Sequence, residues 1–160
     1  MAAHWRLPPF QRAERARATS GVADGVPVSV LKPITFMNRS GAALAALRAD
    51  PAFQPARDLL ILVDEFRIPL GTFRLRRDGS AGGHNGLKSI EGALQSQSYA
   101  RLRIGVGPLP PEISDWSEYV LAPFSAEEDA LLESTLPKMV AAVHDWLRSE
   151  PETVAPEPDA

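Results

Sequence analysis

One stretch, Leu59 to Gly107, constrains the fold more than any other part of this 160-residue sequence. It begins in the continuous apolar run 58–63 (DLLILV), which is typical of a strand buried on both faces of a sheet. A glycine-rich loop at 79–86 leads into a segment of helical periodicity, and a second apolar strand ends the stretch. Because strands and helices alternate here, the sequence predicts an α/β fold.

Periodicity and turn residues predict the rest of the chain. Residues 1–24 show no apolar alternation, which indicates a loop or a weak helix. The acidic, proline-rich segment 150–160 is typical of a disordered tail, so we expect one domain over 1–149 followed by this tail. We predict strands at 26–31, 72–77 and 101–107, helices at 42–48, 85–94 and 126–148 (the last capped by Ser125), a turn at 69–71 and an extended piece at 119–124.

Composition argues against several classes of protein. The absence of cysteine excludes disulfides and thiolate metal sites. No apolar run approaches the roughly 18 residues that a membrane span needs. The first residues also lack the basic and then apolar pattern of a secretory signal. We therefore expect a cytoplasmic protein.

Charge is distributed unevenly along a chain whose net charge is −3. Segment 67–103 holds seven basic and two acidic residues, whereas segment 112–160 holds two basic and twelve acidic ones. A basic centre in an acidic chain can bind a polyanion locally while the acidic remainder limits indiscriminate binding. A solvated basic strand beside an acidic tail fits the same numbers, so charge alone leaves both interpretations open.

Three polar features could form a site: Asn38 before a predicted helix, Asp64 at a strand end, and the pair His84–Asn85 in the glycine loop. Ligands of open α/β sheets bind at the carboxyl ends of strands. An asparagine both donates and accepts hydrogen bonds, and a carboxylate can orient an imidazole and stabilise its charged form. Simpler interpretations exist for each residue: a helix cap for Asn38, a turn cap for Asp64, and a structural role or a substrate contact for His84.

Nothing in the sequence favours a cofactor. The three histidines stand at positions 4, 84 and 144, which is not the spacing of metal ligands. Residues 82–86 (GGHNG) do not match the GxGxxG fingerprint of dinucleotide sites. We therefore expect neither a metal nor an organic cofactor.

Four blocks, in this order, carry a resemblance to a known family. Residues 32–41 (KPITFMNRSG) are similar to a KPxTxMNxSG block, and 64–71 (DEFRIPLG) is similar to a DELDLPLG turn. Residues 82–90 (GGHNGLKSI) and 101–107 (RLRIGVG) match two further blocks. Together they resemble the bacterial-type peptidyl-tRNA hydrolase family over 26–148. The resemblance implies an α/β three-layer sandwich around a twisted mixed sheet.

The resemblance also implies an activity and a substrate. Such a hydrolase cleaves the ester between a peptide, or an N-blocked amino acid, and the 3′ end of tRNA, which recycles tRNA from stalled translation. By position, Phe36, Met37 and Asn38 would contact the 3′ end or the peptide. Asn85 would hold the substrate and position water, with His84 beside it. The implied partner is peptidyl-tRNA, bound by a monomer without metal or membrane.

Three further residues take roles from the resemblance. Arg76 and Arg103 would clamp the 5′ phosphate of tRNA, and Asp64 would stabilise the family's catalytic histidine. That histidine belongs to an HN pair that follows a first strand and a GLGNPG-like turn, and no segment of this sequence matches these features.

The sequence is consistent with three hypotheses. The first, which we favour, is an enzyme of this family whose start is truncated in the sequence given, because the other site residues are in place. The second is a non-catalytic paralogue that binds tRNA or another RNA. The third is an unrelated phosphate-binding protein that uses the glycine loop.

Overall fold

A computed structural model describes residues 1–110 and 116–149, so the predicted tail lies outside the described residues. The strands are β1 Gln11–Arg12, β2 Ala16–Ala23, β3 Val26–Pro33, β4 Leu60–Pro69, β5 Phe73–Arg76 and β6 Ala100–Gly107. A 3₁₀ helix, Met37–Leu44, runs directly into α1 Ala45–Arg48, and the later helices are α2 Pro55–Asp58, α3 Asn85–Leu94, α4 Trp116–Leu121 and α5 Ala126–Arg148.

A mixed sheet of order β4-β6-β5 lies at the centre of the fold. β6 pairs in parallel with β4 and antiparallel with β5. The connection from β4 to its parallel neighbour β6 runs through β5 and α3, since parallel neighbours require a crossover of a dozen or more residues. The predicted α/β class with a mixed sheet is therefore confirmed.

Hydrophobic clusters cover both faces of this sheet. One cluster joins Val63 of β4 to Leu87 and Ile90 of α3, and the other joins Leu102 of β6 to Met139 of α5. Side chains alternate between the two faces of a strand, so each helix takes one set of apolar residues. The result is α3, the sheet and α5 in three layers.

A second, antiparallel sheet of order β1-β2-β3 corrects the prediction for residues 1–24. Small side chains in β2 gave no apolar alternation, although Ala16, Thr19 and Ala23 are buried. Asp24 and Gly25 join β2 to β3 with φ values of 50° and 82°, both in the left-handed region. Asp-Gly between two extended segments is a strong hairpin signal, which was not used in predicting this segment.

Several predicted elements match the structure closely. The segments α3, β5 and β6 lie where periodicity placed them, and Ser125 forms a capping box with Glu128 at the start of α5. Two predictions were wrong. The extended piece at 119–124 is helical over its first half, because α4 ends at Leu121. Asn38 caps no helix, since it lies within the 3₁₀ helix, whose first turn is preceded by Phe36.

Strand β4 departs from its prediction in two ways. Asp64 is not at the strand end, because β4 continues to Pro69, although its regular pairing with β6 stops at Glu65. The strand is also not buried on both faces along its whole length. Leu62 is 46% exposed, and within the described residues β6 is the only strand paired with β4.

Candidate active site

Three arginines hold the glycine loop by its carbonyl groups. Arg67 donates to the carbonyl of residue 82 at 2.8 Å, and Arg101 donates to that of residue 80 at 3.2 Å. Arg103 donates to the carbonyls of residues 80 and 81 at 3.0 and 3.2 Å. Charge-assisted hydrogen bonds of this kind are roughly twice as strong as neutral ones. The loop conformation is thus fixed from within the protein.

Two glutamates hold these arginines in turn. Glu65, only 8% exposed, accepts from Arg103 at 2.5 Å with one oxygen and from the backbone N–H of Arg67 at 3.1 Å with the other. Glu91 lies 3.6 Å from Arg101, which is 1% exposed. The arginines that alternate with apolar residues in β6 therefore do not form an open basic face, because these two guanidinium groups serve the loop.

His84 links Asp64 to the first turn of α3. Its Nδ1 accepts from the backbone N–H groups of Gly86 at 3.1 Å and Leu87 at 3.3 Å, which makes it the N-cap of α3. Its Nε2 lies 3.3 Å from Oδ1 of Asp64. Because two N–H groups point at Nδ1, the proton of the neutral ring is on Nε2 and is donated to Asp64.

The imidazole in turn sets the charge of its partner. The hydrogen bond from His84 holds the pKa of Asp64 below its usual range, and partial burial opposes this shift. Asp64 is therefore a carboxylate at neutral pH and a poor proton acceptor. The hydrogen bond between Asp64 and His84 instead fixes the orientation of the imidazole ring, and with it the first turn of α3.

A close crossing brings the 3₁₀ helix against α3. The N–H of Gly41 donates to Oγ of Ser89 at 3.1 Å, and a Cβ at position 41 would lie 2.2 Å from the carbonyl oxygen of Ser89. At position 86 a Cβ would lie 2.6 Å from Sδ of Met37. At position 41 only a glycine allows this approach, because the obstacle is backbone, whereas the flexible side chain of Met37 could shift away from a Cβ at position 86. The crossing therefore places the residues next to Met37 beside the start of α3.

The residues predicted to contact substrate lie open at this crossing. Phe36 is 80% exposed and Met37 55% exposed, while Asn38 and Asn85 are also exposed. A groove of about 410 Å³ is lined by residues 34–36 and Arg39. Exposed apolar side chains next to two amides form a surface that can bind an amphipathic ligand.

The two arginines predicted to bind phosphate occupy different settings. Arg76 is exposed on β5, at the sheet edge opposite β4, and among the described residues its side chain donates only to the carbonyl of Leu75 at 3.4 Å. Arg103 is mostly buried and is paired with Glu65. The structure thus brings Asp64, His84 and Asn85 together, with Met37 and Asn38 beside them, and it does not bring Arg76 to them.

Glu65 and Arg67 shape the site although neither was predicted to belong to it. One signal was available: a carboxylate inside an otherwise apolar strand implies a cation buried beside it. Among residues 1–110 and 116–149, no group of three or more histidines, aspartates or glutamates could hold a metal ion. None of the helices described there is long and apolar enough to cross a membrane.

Comparison with known proteins places this chain in a family. A family profile described as "Peptidyl-tRNA hydrolase" matches residues 1–157. Peptidyl-tRNA hydrolase of Gemmatimonas aurantiaca is 39% identical over 145 residues, covering 89% of this chain and 76% of the relative. That of Chloroflexus aggregans is 44% identical over 134 residues, covering 82% and 71%.

Solved structures agree with the sequence comparisons. A mutant of peptidyl-tRNA hydrolase from Acinetobacter baumannii superposes with a TM-score of 0.82 at 28% identity, covering 92% of this chain and 74% of its own. Another structure of the enzyme from that organism gives a TM-score of 0.75 at 26% identity, covering 94% and 82%. The chain therefore belongs to the peptidyl-tRNA hydrolase family, the carboxylic ester hydrolases that its four sequence blocks predicted.

Proposed function

We propose that the start of α3 holds the ester between the peptide and the tRNA 3′ end, with Asn85 as the residue that positions substrate and water. One observation carries the proposal: His84 caps α3 and is fixed by Asp64 at 3.3 Å, so the next residue, Asn85, has a set orientation. The amide of Asn85 can donate to an ester oxygen and accept from a water molecule.

The position of Asn85 also suits the charge that develops during ester cleavage. Attack of water on an ester carbonyl releases a proton, here to solvent, and places negative charge on the carbonyl oxygen before the 3′ hydroxyl of tRNA leaves. Donors already aimed at that oxygen lower the barrier. The N-terminal end of a helix carries a partial positive charge of about half an elementary charge. Asn85 is the first residue of α3, a helix of ten residues, so both effects act at one place.

In this proposal His84 and Asp64 are positioning residues. While Nδ1 of His84 accepts from two backbone N–H groups and Nε2–H is donated to Asp64, the ring has no lone pair free for a proton from water. The resemblance gives the general-base role to a histidine of the family's HN pair, which Asp64 would stabilise. Asp64 and His84 hold the first turn of α3, and Phe36, Met37 and Asn38 contact the 3′ end or the peptide.

We propose further that Arg76 contacts the 5′ phosphate directly. Its exposed guanidinium keeps most of its donors available, whereas Arg103 contributes through the loop that it holds. The protein would act in the cytoplasm, because its substrate belongs to translation. It would act as a monomer, and it would need no metal because its amides supply the hydrogen bonds to the substrate. Mass measurement in solution and turnover in the presence of a chelator test these two points.

The test is cleavage of an N-blocked aminoacyl-tRNA by this chain. We expect cleavage above the buffer rate, and a loss of about 10²- to 10³-fold in kcat for Asn85→Ala, the range observed when one oxyanion donor is removed. Gln11→Ala, which removes an exposed amide on β1, is the matched control and should leave kcat unchanged.

Two results would contradict the proposal. Equal turnover by Asn85→Ala and the parent chain would remove Asn85 from the site. Retention of tRNA on a filter without cleavage by the parent chain would instead indicate a protein that binds tRNA and leaves its ester intact.

A further inference from the structure

We propose that a second groove, between the 3₁₀ helix with α1 on one side and α3 on the other, binds the sugar-phosphate backbone of the single-stranded tRNA 3′ end. This inference rests on the proposed function, because the groove starts at Asn38, beside the proposed ester site. We call it the arginine groove. Its charged lining residues are Glu14, Arg15, Arg39 and Arg48.

The shape of the arginine groove suits an RNA strand. Its volume is about 540 Å³, and its apolar lining consists of the small residues Gly41, Ala42, Ala45 and Ala93. Small side chains leave a shallow floor, whereas the arginines are long enough to reach ligand atoms above it. A strand of nucleotides could therefore lie along the floor with its phosphates towards the guanidinium groups.

The charge of the groove is available to a ligand. Arg39 and Arg48 are exposed, and their side chains have no hydrogen-bond or ion-pair partner among the described residues. Arg15 lies 3.5 Å from Glu14, but both side chains are more than half exposed, and such surface pairs contribute little. Three arginines against one glutamate leave the groove with a net positive charge. The arginines of the glycine loop differ, since each already donates to a carbonyl of that loop.

The length of the groove matches several nucleotides. From Asn38 to Arg48 the chain advances through 3₁₀ and α-helical turns by roughly 18 Å, from rises of about 2.0 and 1.5 Å per residue. At about 3.4 Å per nucleotide in a stacked strand, that length holds about five nucleotides. Arginine presents a planar set of donors that fits phosphate oxygens in a bidentate manner.

RNA explains the groove better than an acidic peptide does. The substrate has two halves that meet at the ester, and only the tRNA half is constant. A strongly charged groove for the variable peptide half would reject basic peptides, whereas every tRNA carries the same backbone charge. The arginines therefore fit the tRNA half of the substrate, whose charge is always negative.

The experiment measures binding of a short single-stranded RNA with the sequence of the tRNA 3′ end, by fluorescence anisotropy over a series of salt concentrations. We expect Arg39→Gln/Arg48→Gln to bind more weakly. The slope of log K against log salt should fall by about 1.4, since each phosphate contact on a single strand contributes about 0.7. Arg12→Gln/Lys138→Gln removes the same charge from exposed residues outside the groove and should leave the slope unchanged.

A second measurement uses the N-blocked aminoacyl-tRNA. Loss of contacts made equally in the ground state and the transition state raises KM and leaves kcat unchanged. We expect this pattern for Arg39→Gln/Arg48→Gln, with circular dichroism showing that it is folded. If the double variant does not fold, Arg48→Gln alone should lower the slope by about 0.7.

The two proposals can fail separately. If the parent chain cleaves the substrate but Arg39→Gln/Arg48→Gln matches it in salt slope and KM, the arginine groove is not an RNA site, and the proposed function stands. If the parent chain binds the oligonucleotide through these arginines without cleaving ester, the groove stands and the proposed function falls. An acidic peptide of equal charge that competes as well as the oligonucleotide would overturn the assignment to RNA.

Discussion

Two histidine–aspartate pairs in this protein look alike and have different roles. In one, Nε2 of His84 lies 3.3 Å from Asp64; in the other, Nδ1 of His144 lies 2.8 Å from Asp24. Both histidine side chains are 16% exposed, and the aspartates are 34% and 32% exposed. Contact and burial alone would therefore give the two pairs the same importance.

The second nitrogen of each ring separates the pairs. In His144, Nε2 accepts from the indole N–H of Trp5 at 2.5 Å, and Arg148 also binds Asp24. That cluster ties the N-terminal turn and the β2–β3 hairpin to α5. In His84 the second nitrogen caps α3 instead, at the step before Asn85. A histidine–carboxylate pair thus fixes the orientation of the imidazole ring, and its importance for function depends on which group the second ring nitrogen binds.

The largest expected difference between the pairs is in turnover. Asp64→Asn removes the charge that fixes His84, and a misplacement of about 1 Å at a site can cost about 10²-fold in rate. We expect a loss of about that size in kcat/KM for N-blocked aminoacyl-tRNA. Asp24→Asn is the matched control and should keep the parent rate. Equal rates in the two variants would make the pairs equivalent and break the comparison.

Stability should show the opposite order. His144→Ala leaves the indole N–H of Trp5 without its acceptor, and we expect a loss of about 1–3 kcal/mol in the free energy of unfolding. His84→Asn keeps an efficient N-cap on α3, so its loss should stay within about 0.5 kcal/mol. Urea unfolding measures both. A larger loss in His84→Asn would show that the Asp64 contact, rather than the cap, stabilises this region.

The smallest expected effect is on the dependence of stability on pH. The folded state lowers the pKa of Asp64, so its contribution is present above the unfolded pKa of about 3.9 and is lost as the pH falls through the lower, folded value. Urea midpoints taken between pH 5 and pH 3 should fall less steeply in Asp64→Asn than in the parent chain. Parallel curves would mean that His84 does not lower this pKa in solution.

Patterns within single segments of the sequence correctly predicted several of the helices and strands. The period of apolar residues placed α3, and alternation placed β5 and β6, because a helix or strand with one buried face repeats its own spacing. The glycine loop and the polar residues around it were also identified from the sequence. The hairpin at Asp24 was missed, since the small residues of β2 give no apolar alternation.

The predictions that failed concern residues whose interaction partners lie far along the chain. The sequence shows that Arg101 and Arg103 alternate with apolar residues. It does not show that Glu91 and Glu65 form ion pairs with them inside the fold. The same limit applies to His84. Its place in a glycine loop was visible, yet its use of both nitrogens depends on Asp64, twenty residues earlier, and on the geometry of α3.

The arginines that hold the glycine loop have a consequence for how the substrate is received. Because the carbonyls of residues 80–82 are already engaged, the loop does not have to become ordered when a ligand arrives. Ordering a segment on binding weakens affinity, and a loop held in its bound shape avoids that loss. In the proposed site, the conformational entropy of the loop is therefore lost once, during folding, and the substrate would bind a surface that is already ordered.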